Sequence, residues 1–212
     1  MNILRKIFIL LVGLFLTLTS FGYIFWPRPV ISLVSFVDVI SKSETLNRLK
    51  LKALMAKDYA NDHGYNVSHC FLVDMRLPSG KNRFFIYNME ADTVEVAGLV
   101  THGKGSEKEP GTLFFSNTPN SNCTSLGKYK IGKSYKGSFG LSYKLMGLEK
   151  TNSKAFGRSV VLHSYYGVPK EEVYPAPICV SEGCPAVSPE FLAQLKTYVD
   201  KSEEPVLLWI YY

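Results

Sequence analysis

One histidine and one cysteine carry the most chemistry in this chain. His163 ends the apolar run Ser159-Val160-Val161-Leu162, and Cys184 sits in Ser181-Glu182-Gly183-Cys184-Pro185-Ala186-Val187. An imidazole that takes the thiol proton generates a thiolate, the nucleophilic form of cysteine. Gly183 lets the backbone bend tightly and lets a substrate come close to Cys184. Amides around such a turn are suited to an oxyanion, the usual need in acyl transfer. The same residues suit a buried structural cysteine in a Gly-Pro turn and a histidine at a strand end, so the pair alone leaves both readings open.

Two other patterns compete. Gly127-Lys128-Tyr129-Lys130-Ile131-Gly132-Lys133-Ser134 satisfies the GxxxxGK[ST] string of a phosphate-binding loop. That chemistry needs a buried strand before the loop and a helix after it, so that a helix N-terminus faces the phosphates. Ser121–Ser125 upstream and the glycine-rich Tyr135–Gly140 downstream supply neither, and the string reads instead as a turn-rich β-ribbon with exposed lysines. No nucleotide is expected. His63, His69, Cys70, His102, Cys123, His163, Cys179 and Cys184 are all potential metal ligands, but their spacings fit no CxxC or HExxH pattern, so no metal site is expected.

The elements that must position these residues are mostly strands. Short apolar runs at Cys70–Arg76, Arg83–Asn88, Thr93–Val100, Thr112–Phe115, Ser142–Met146, Arg158–His163 and Val206–Tyr212 are broken by Gly, Pro, Asn and Ser. One helix precedes them, from Ser41 to His63, with Ser41 and Glu44 at capping-box spacing and Gly64 to close it. It either packs on the domain or spaces it from a membrane. A late helix starts after Ser188 as N-cap with Pro189 in its first turn. These readings predict residues 1–28 as a membrane segment, 29–67 as a helical linker region and 68–212 as one mainly β domain.

Ordered blocks along that domain resemble a known family. Val160-Val161-Leu162-His163, seventeen residues, then Ser181-x-Gly183-Cys184-Pro185-Ala186-Val187 is similar to the signature of the murein L,D-transpeptidase catalytic domain, in its GCPAV-type subgroup. Further matching blocks are Asp74-Met75-Arg76, Ser79-Gly80-Lys81, Arg83–Tyr87, Val100–Gly105, Phe115-Ser116-Asn117, Ser125-Leu126-Gly127, Gly140-Leu141-Ser142 and Gly147-Leu148-Glu149. The resemblance implies a YkuD-like β-sandwich with a few helices, Cys184 as nucleophile, His163 as base, and the backbone carbonyl of Ser164 orienting the ring. It places His102-Gly103 near the cleft. The implied substrates are peptidoglycan stem tetrapeptides, cut at an L-centre joined to a D-residue. Capture of the acyl group by an amine gives a transpeptidase, and capture by water gives an L,D-carboxypeptidase. A wall-binding module without activity is the remaining reading of the same fold. One departure matters. The subgroup has Gly-Arg-Ser before its Gly-Cys pair, whereas this chain reads Cys179-Val180-Ser181, which leaves Arg158 or a lysine of the Lys128–Lys136 ribbon to hold a substrate carboxylate beside Ser181 and Gly183.

Composition fits a globular domain with one special terminus. The chain has 212 residues, 24 Lys+Arg against 18 Asp+Glu, and an apolar fraction of 46%, which excludes a disordered chain. Residues 1–28 hold Arg5, Lys6 and Arg28 and no acid, so the rest is nearly balanced and gives no charge argument for nucleic acid. Residues 7–26 carry no charge, long enough to span a bilayer. Phe21 and Tyr23 spoil the small-residue cleavage site of a signal peptide. An uncleaved inner-membrane anchor with the domain outside the cytoplasm is therefore expected, and a cleaved signal would equally place it in the periplasm. In an oxidising compartment a nucleophilic Cys184 leaves three cysteines, and Cys123–Cys179 is the expected bridge, with a Cys179–Cys184 redox switch as the alternative.

Overall fold

A computed structural model describes residues 2–3, 11–12, 33–109 and 111–212. Apart from residues 11–12, the expected span 7–26 lies outside the described residues, and among these no helix is long and apolar enough to cross a membrane. The chain divides into two compact units, Met1–Glu44 and Thr45–Tyr212. Helix α1 covers Leu33–His63 and so begins eight residues before the expected Ser41. No Gly or Pro interrupts Leu33–Ile40, so nothing in the backbone stops the helix at the Ser41–Glu44 capping pair and it extends backwards. It ends where Gly64 takes φ +68°, a conformation that costs a side-chain-bearing residue energy.

The second unit is mainly β, as expected. Its strands are β1 (His69–Asp74), β2 (Phe84–Asn88), β3 (Thr93–Gly98), β4 (Glu107–Glu109), β5 (Thr112–Leu113), β6 (Gly127–Gly137), β7 (Gly140–Gly147), β8 (Val161–Ser164), β9 (Ala186–Val187) and β10 (Leu207–Tyr211). Eight of them form one mixed sheet in the order β3-β2-β1-β10-β6-β7-β8-β9, and β4 and β5 pair separately. β1–β10 and β8–β9 are parallel. Both faces of the sheet centre are covered, which is why Cys70–Val73 reads as an unbroken apolar run and not as an alternation. Cys70 and Leu72 pack with Phe85, Tyr87, Leu207 and Trp209 against Leu49, Ala53, Ala56 and Ala60 of α1, residues spaced four, three and four apart on one helical stripe. Phe71 and Val73 point the other way, into a core shared with Phe84, Ile86, Tyr143, Leu145 and Leu162. Helix α2 (Pro189–Lys201) closes that side with Phe191, Leu192 and Leu195. Ser188 caps it as predicted, accepting the Phe191 N–H at 3.1 Å.

Two local expectations shift. The phosphate-loop string lies inside β6, hydrogen-bonded to β10 and β7 with an irregularity between Ile131 and Ser134, and no helix follows it. The strand expected from Arg158 begins only at Val161, because Ser159 turns the chain at φ +57°.

Candidate functional site

β8 and β9 bring the histidine and the cysteine together. His163, in β8, pairs directly with Ala186 of β9, and Cys184 lies two residues before that partner. Parallel neighbours keep step, so Cys184 falls beside Val161, whose N–H donates to its Sγ at 3.5 Å. His163 and Cys184 then line one cavity of about 320 Å³ with Thr101, Phe139, Tyr165 and Ala186 among its walls. The His163 Nδ1–H donates to the Ser164 carbonyl at 2.9 Å. A carbonyl can only accept, so this contact fixes the tautomer and leaves Nε2 as the basic nitrogen.

Electrostatics set the resting state. Burial pushes the Cys184 thiol above its usual value, against the Val161 N–H and the Arg158 guanidinium, which favour thiolate. Burial also pulls His163 down, partly offset by the Ser164 carbonyl. Both shifts favour the uncharged forms, thiol and imidazole.

The turn carrying Cys184 is braced from several sides. Ser181 Oγ donates to the Cys184 carbonyl at 2.6 Å and accepts the Gly183 N–H at 3.1 Å. Thr101 Oγ1 donates to the same carbonyl at 3.2 Å and accepts the Ala186 N–H at 3.0 Å. The Ser181 N–H in turn donates to the His102 carbonyl at 2.9 Å, and Gly103 forms a parallel bridge to Ser181. Gly183 stands at φ +113°.

Not every expected residue reaches the cavity. The His102 ring lies in a second cavity of about 310 Å³, which Arg83, Ser79 and Tyr212 also line. Its Nδ1 accepts from Arg83 at 3.0 Å and its Nε2–H donates to Glu107 at 3.3 Å, so only its backbone serves the Cys184 turn. Arg158 lies near Cys184 but spends its donors on the carbonyls of Ser116 (3.0 Å) and Cys123 (2.7 Å) and on Ser125 Oγ (3.3 Å). All four cysteines are free, in contrast to the expected bridge. Cys123 is buried with its thiol on Ser121 O, and Cys179 packs near Ile178 and Tyr165 with its thiol on Gly167 O. Among the described residues no three His, Cys, Asp or Glu side chains gather as a metal site.

Sequence reasoning missed Thr101 and Phe139. The Phe139 ring stacks on His163, with centroids 4.2 Å apart and planes at 22°. Its only sequence signal is an aromatic residue in the Gly137–Gly140 hairpin tip.

The sequence profile of the L,D-transpeptidase catalytic domain matches residues 42–211. No match was found among curated proteins. Similar solved structures include the Ldtfm–avibactam carbamoyl enzyme, at 12% identity over 68% of this chain and 49% of that one, with a TM-score of 0.43. The L,D-transpeptidase of Xylanimonas cellulosilytica shares 15% identity over 73% and 68% of the two chains, with a TM-score of 0.38. Pgp2, a helical cell shape determining protein of Campylobacter jejuni, shares 14% over 73% and 54%, with a TM-score of 0.41. The chain spans about half the length of the first solved chains it matches.

Proposed function

Because this chain belongs to the L,D-transpeptidase catalytic-domain family, we propose that it is a peptidoglycan-modifying acyltransferase in which Cys184 is the nucleophile and His163 the base. The observation that carries this reading is the shared cavity of the two side chains, with Nε2 left basic by the Ser164 carbonyl. The Cys184 sulfur attacks the carbonyl carbon of an L-centre, forming C–S and breaking the C–N bond to the D-residue. The thiol proton passes through Nε2 to the departing amine. An amine of a second stem then attacks the thioester, forming C–N and breaking C–S, and Cys184 recovers its proton through His163. Ser181, Thr101 and Gly183 hold the turn, and Phe139 keeps one face of the imidazole away from water. No cofactor takes part in this scheme. The setting is the cell envelope, with residues 7–26 as the inner-membrane anchor.

The test uses the full-length chain in detergent with tetrapeptide muropeptides, analysed by mass. A cross-linked dimer and a Cys184-borne adduct with a carbapenem support the transferase. Tripeptide alone makes it a carboxypeptidase using the same thioester. An adduct on another cysteine, or full activity in Cys184→Ala, refutes the site.

A further inference from the structure

The sheet register places a lysine on the same face as the nucleophile. Across β6, β7 and β8, Tyr135 opposes Ser142 and Ser142 opposes His163, while Lys144 opposes Val161. Directly opposed residues share a face, and neighbours along a strand alternate. Tyr143 and Leu162, the opposed pair between these rows, both enter the core. Lys144, Val161, Tyr135 and His163 therefore face away from the core, toward the cleft. Cys184 Sγ lies on the Val161 N–H. Lys144 thus shares a row with Val161 and the nucleophile, two strand spacings, or about 9–10 Å of backbone, from Cys184.

The ammonium of Lys144 has a defined seat. Its Nζ lies 5.6 Å from the Tyr135 ring centre and 5.4 Å from that of Phe156, distances at which a ring face attracts a cation. Both rings are exposed, Phe156 at 58% and Tyr135 at 37%. Among the described residues no carboxylate lies within ion-pair distance of Lys144, whereas Lys128 is held by Glu149 at 2.6 Å and Arg158 is spent on three oxygens. Two exposed aromatic rings fixing an unneutralised cation beside a cleft leave a place for an anion.

The position selects which anion. The 320 Å³ cavity is walled around Cys184 and His163 by Thr101, Phe139, Tyr165, Val180 and Glu182, and Lys144 stands outside that lining, on β7. A peptide crossing the nucleophile has its acyl part in the cavity and its leaving part toward Lys144. The geometry points to Lys144 as the residue that binds the free carboxylate of the donor's terminal D-residue, an assignment that rests on the proposed thioester chemistry. One extended residue covers about 3.3–3.6 Å, and the lysine side chain closes the rest. A donor longer by one residue carries its carboxylate past this seat, so Lys144 selects for a single D-residue after the scissile bond.

The experiment compares release of the D-residue from two donor peptides by the full-length chain, one with a free terminal carboxylate and one with a terminal amide. A charge-assisted contact of this kind corresponds to about tenfold to a hundredfold in kcat/KM. The wild type is expected to prefer the acid by that factor, Lys144→Met to bring the acid donor down to the rate of the amide donor, and Lys144→Arg to restore part of the preference. Equal preference in wild type and Lys144→Met overturns the assignment, as does a loss in Lys144→Met of the same size on both donors. If amidating a different carboxylate of the donor abolishes the dependence on Lys144, the terminal assignment is overturned too. A wild type that releases nothing and forms no Cys184 adduct refutes the underlying thioester chemistry, which separates that failure from failure of the lysine alone.

Discussion

Replacing Gly183 by alanine tests whether the turn before Cys184 is as constrained as its geometry implies. At φ +113° an L side chain is strained, a cost of about 1–3 kcal/mol. A Cβ there would also stand 2.9 Å from the Cys123 carbonyl oxygen and 3.4 Å from Arg158 Nη2. That carbonyl already accepts from Arg158 at 2.7 Å, so relief comes from moving Cys184 or from stretching a charge-assisted hydrogen bond worth about 1.5–3 kcal/mol. Part of each cost is shared, and the expected loss is about 2–4 kcal/mol, a fall in Tm of about 4–16 °C for a chain of this size. A displacement of about 1 Å at Cys184 lowers acylation by about a hundredfold. Thermal unfolding and the rate of carbapenem adduct formation read the two effects separately. Gly64→Ala is the control: Gly64 stands at φ +68° with nothing within 4 Å of its added Cβ, so it loses backbone energy only and keeps its acylation rate. Gly183→Ala with the Tm of Gly64→Ala and wild-type acylation would refute the reasoning.

His163→Ala should lower acylation by about 10²–10⁴, the usual worth of a positioned base, and a change under tenfold would remove it from the mechanism. With pH, acylation should rise through an acid limb below about 6.5, since burial lowers the pKa of His163 and only the neutral ring can take the thiol proton; a limb at or above pH 7 contradicts this. Stability should follow the same sign: His102 and His163 both have folded pKa values below the unfolded value, so as pH falls through about 6.5 the unfolded chain takes up protons the folded chain refuses, and Tm at pH 5 should lie below Tm at pH 7.5. Ser188→Ala removes the cap of α2 and should cost about 1 kcal/mol, or about 2–4 °C in Tm, without touching acylation.

The sequence by itself determined most of the local elements. Strand runs bounded by Gly and Pro, Ser188 before Pro189, and Gly64 after an α-helical stripe are consequences of backbone sterics and hydrogen bonding within a few residues, so they show in the residue order. His163 and Cys184 stand out in the sequence for a related reason, their residue types and a turn that only glycine makes easily, and the fold brings both to one cavity. Tertiary structure alone decided what surrounds them. His102 and Phe139 exchanged expectations, the first turned into a separate cavity by Arg83 and Glu107, the second brought over His163 by a hairpin whose tip has no fixed direction in sequence. Arg158 was drawn onto the carbonyls of Ser116 and Cys123 because a partly buried guanidinium must satisfy its donors, and nothing local says which oxygens will be near. Pairing of the cysteines was illegible too, since it depends on distances between residues far apart in the chain. The row that links Lys144, Val161 and Cys184 exists only through the register of three strands, and register is set by long-range pairing and by which face is buried.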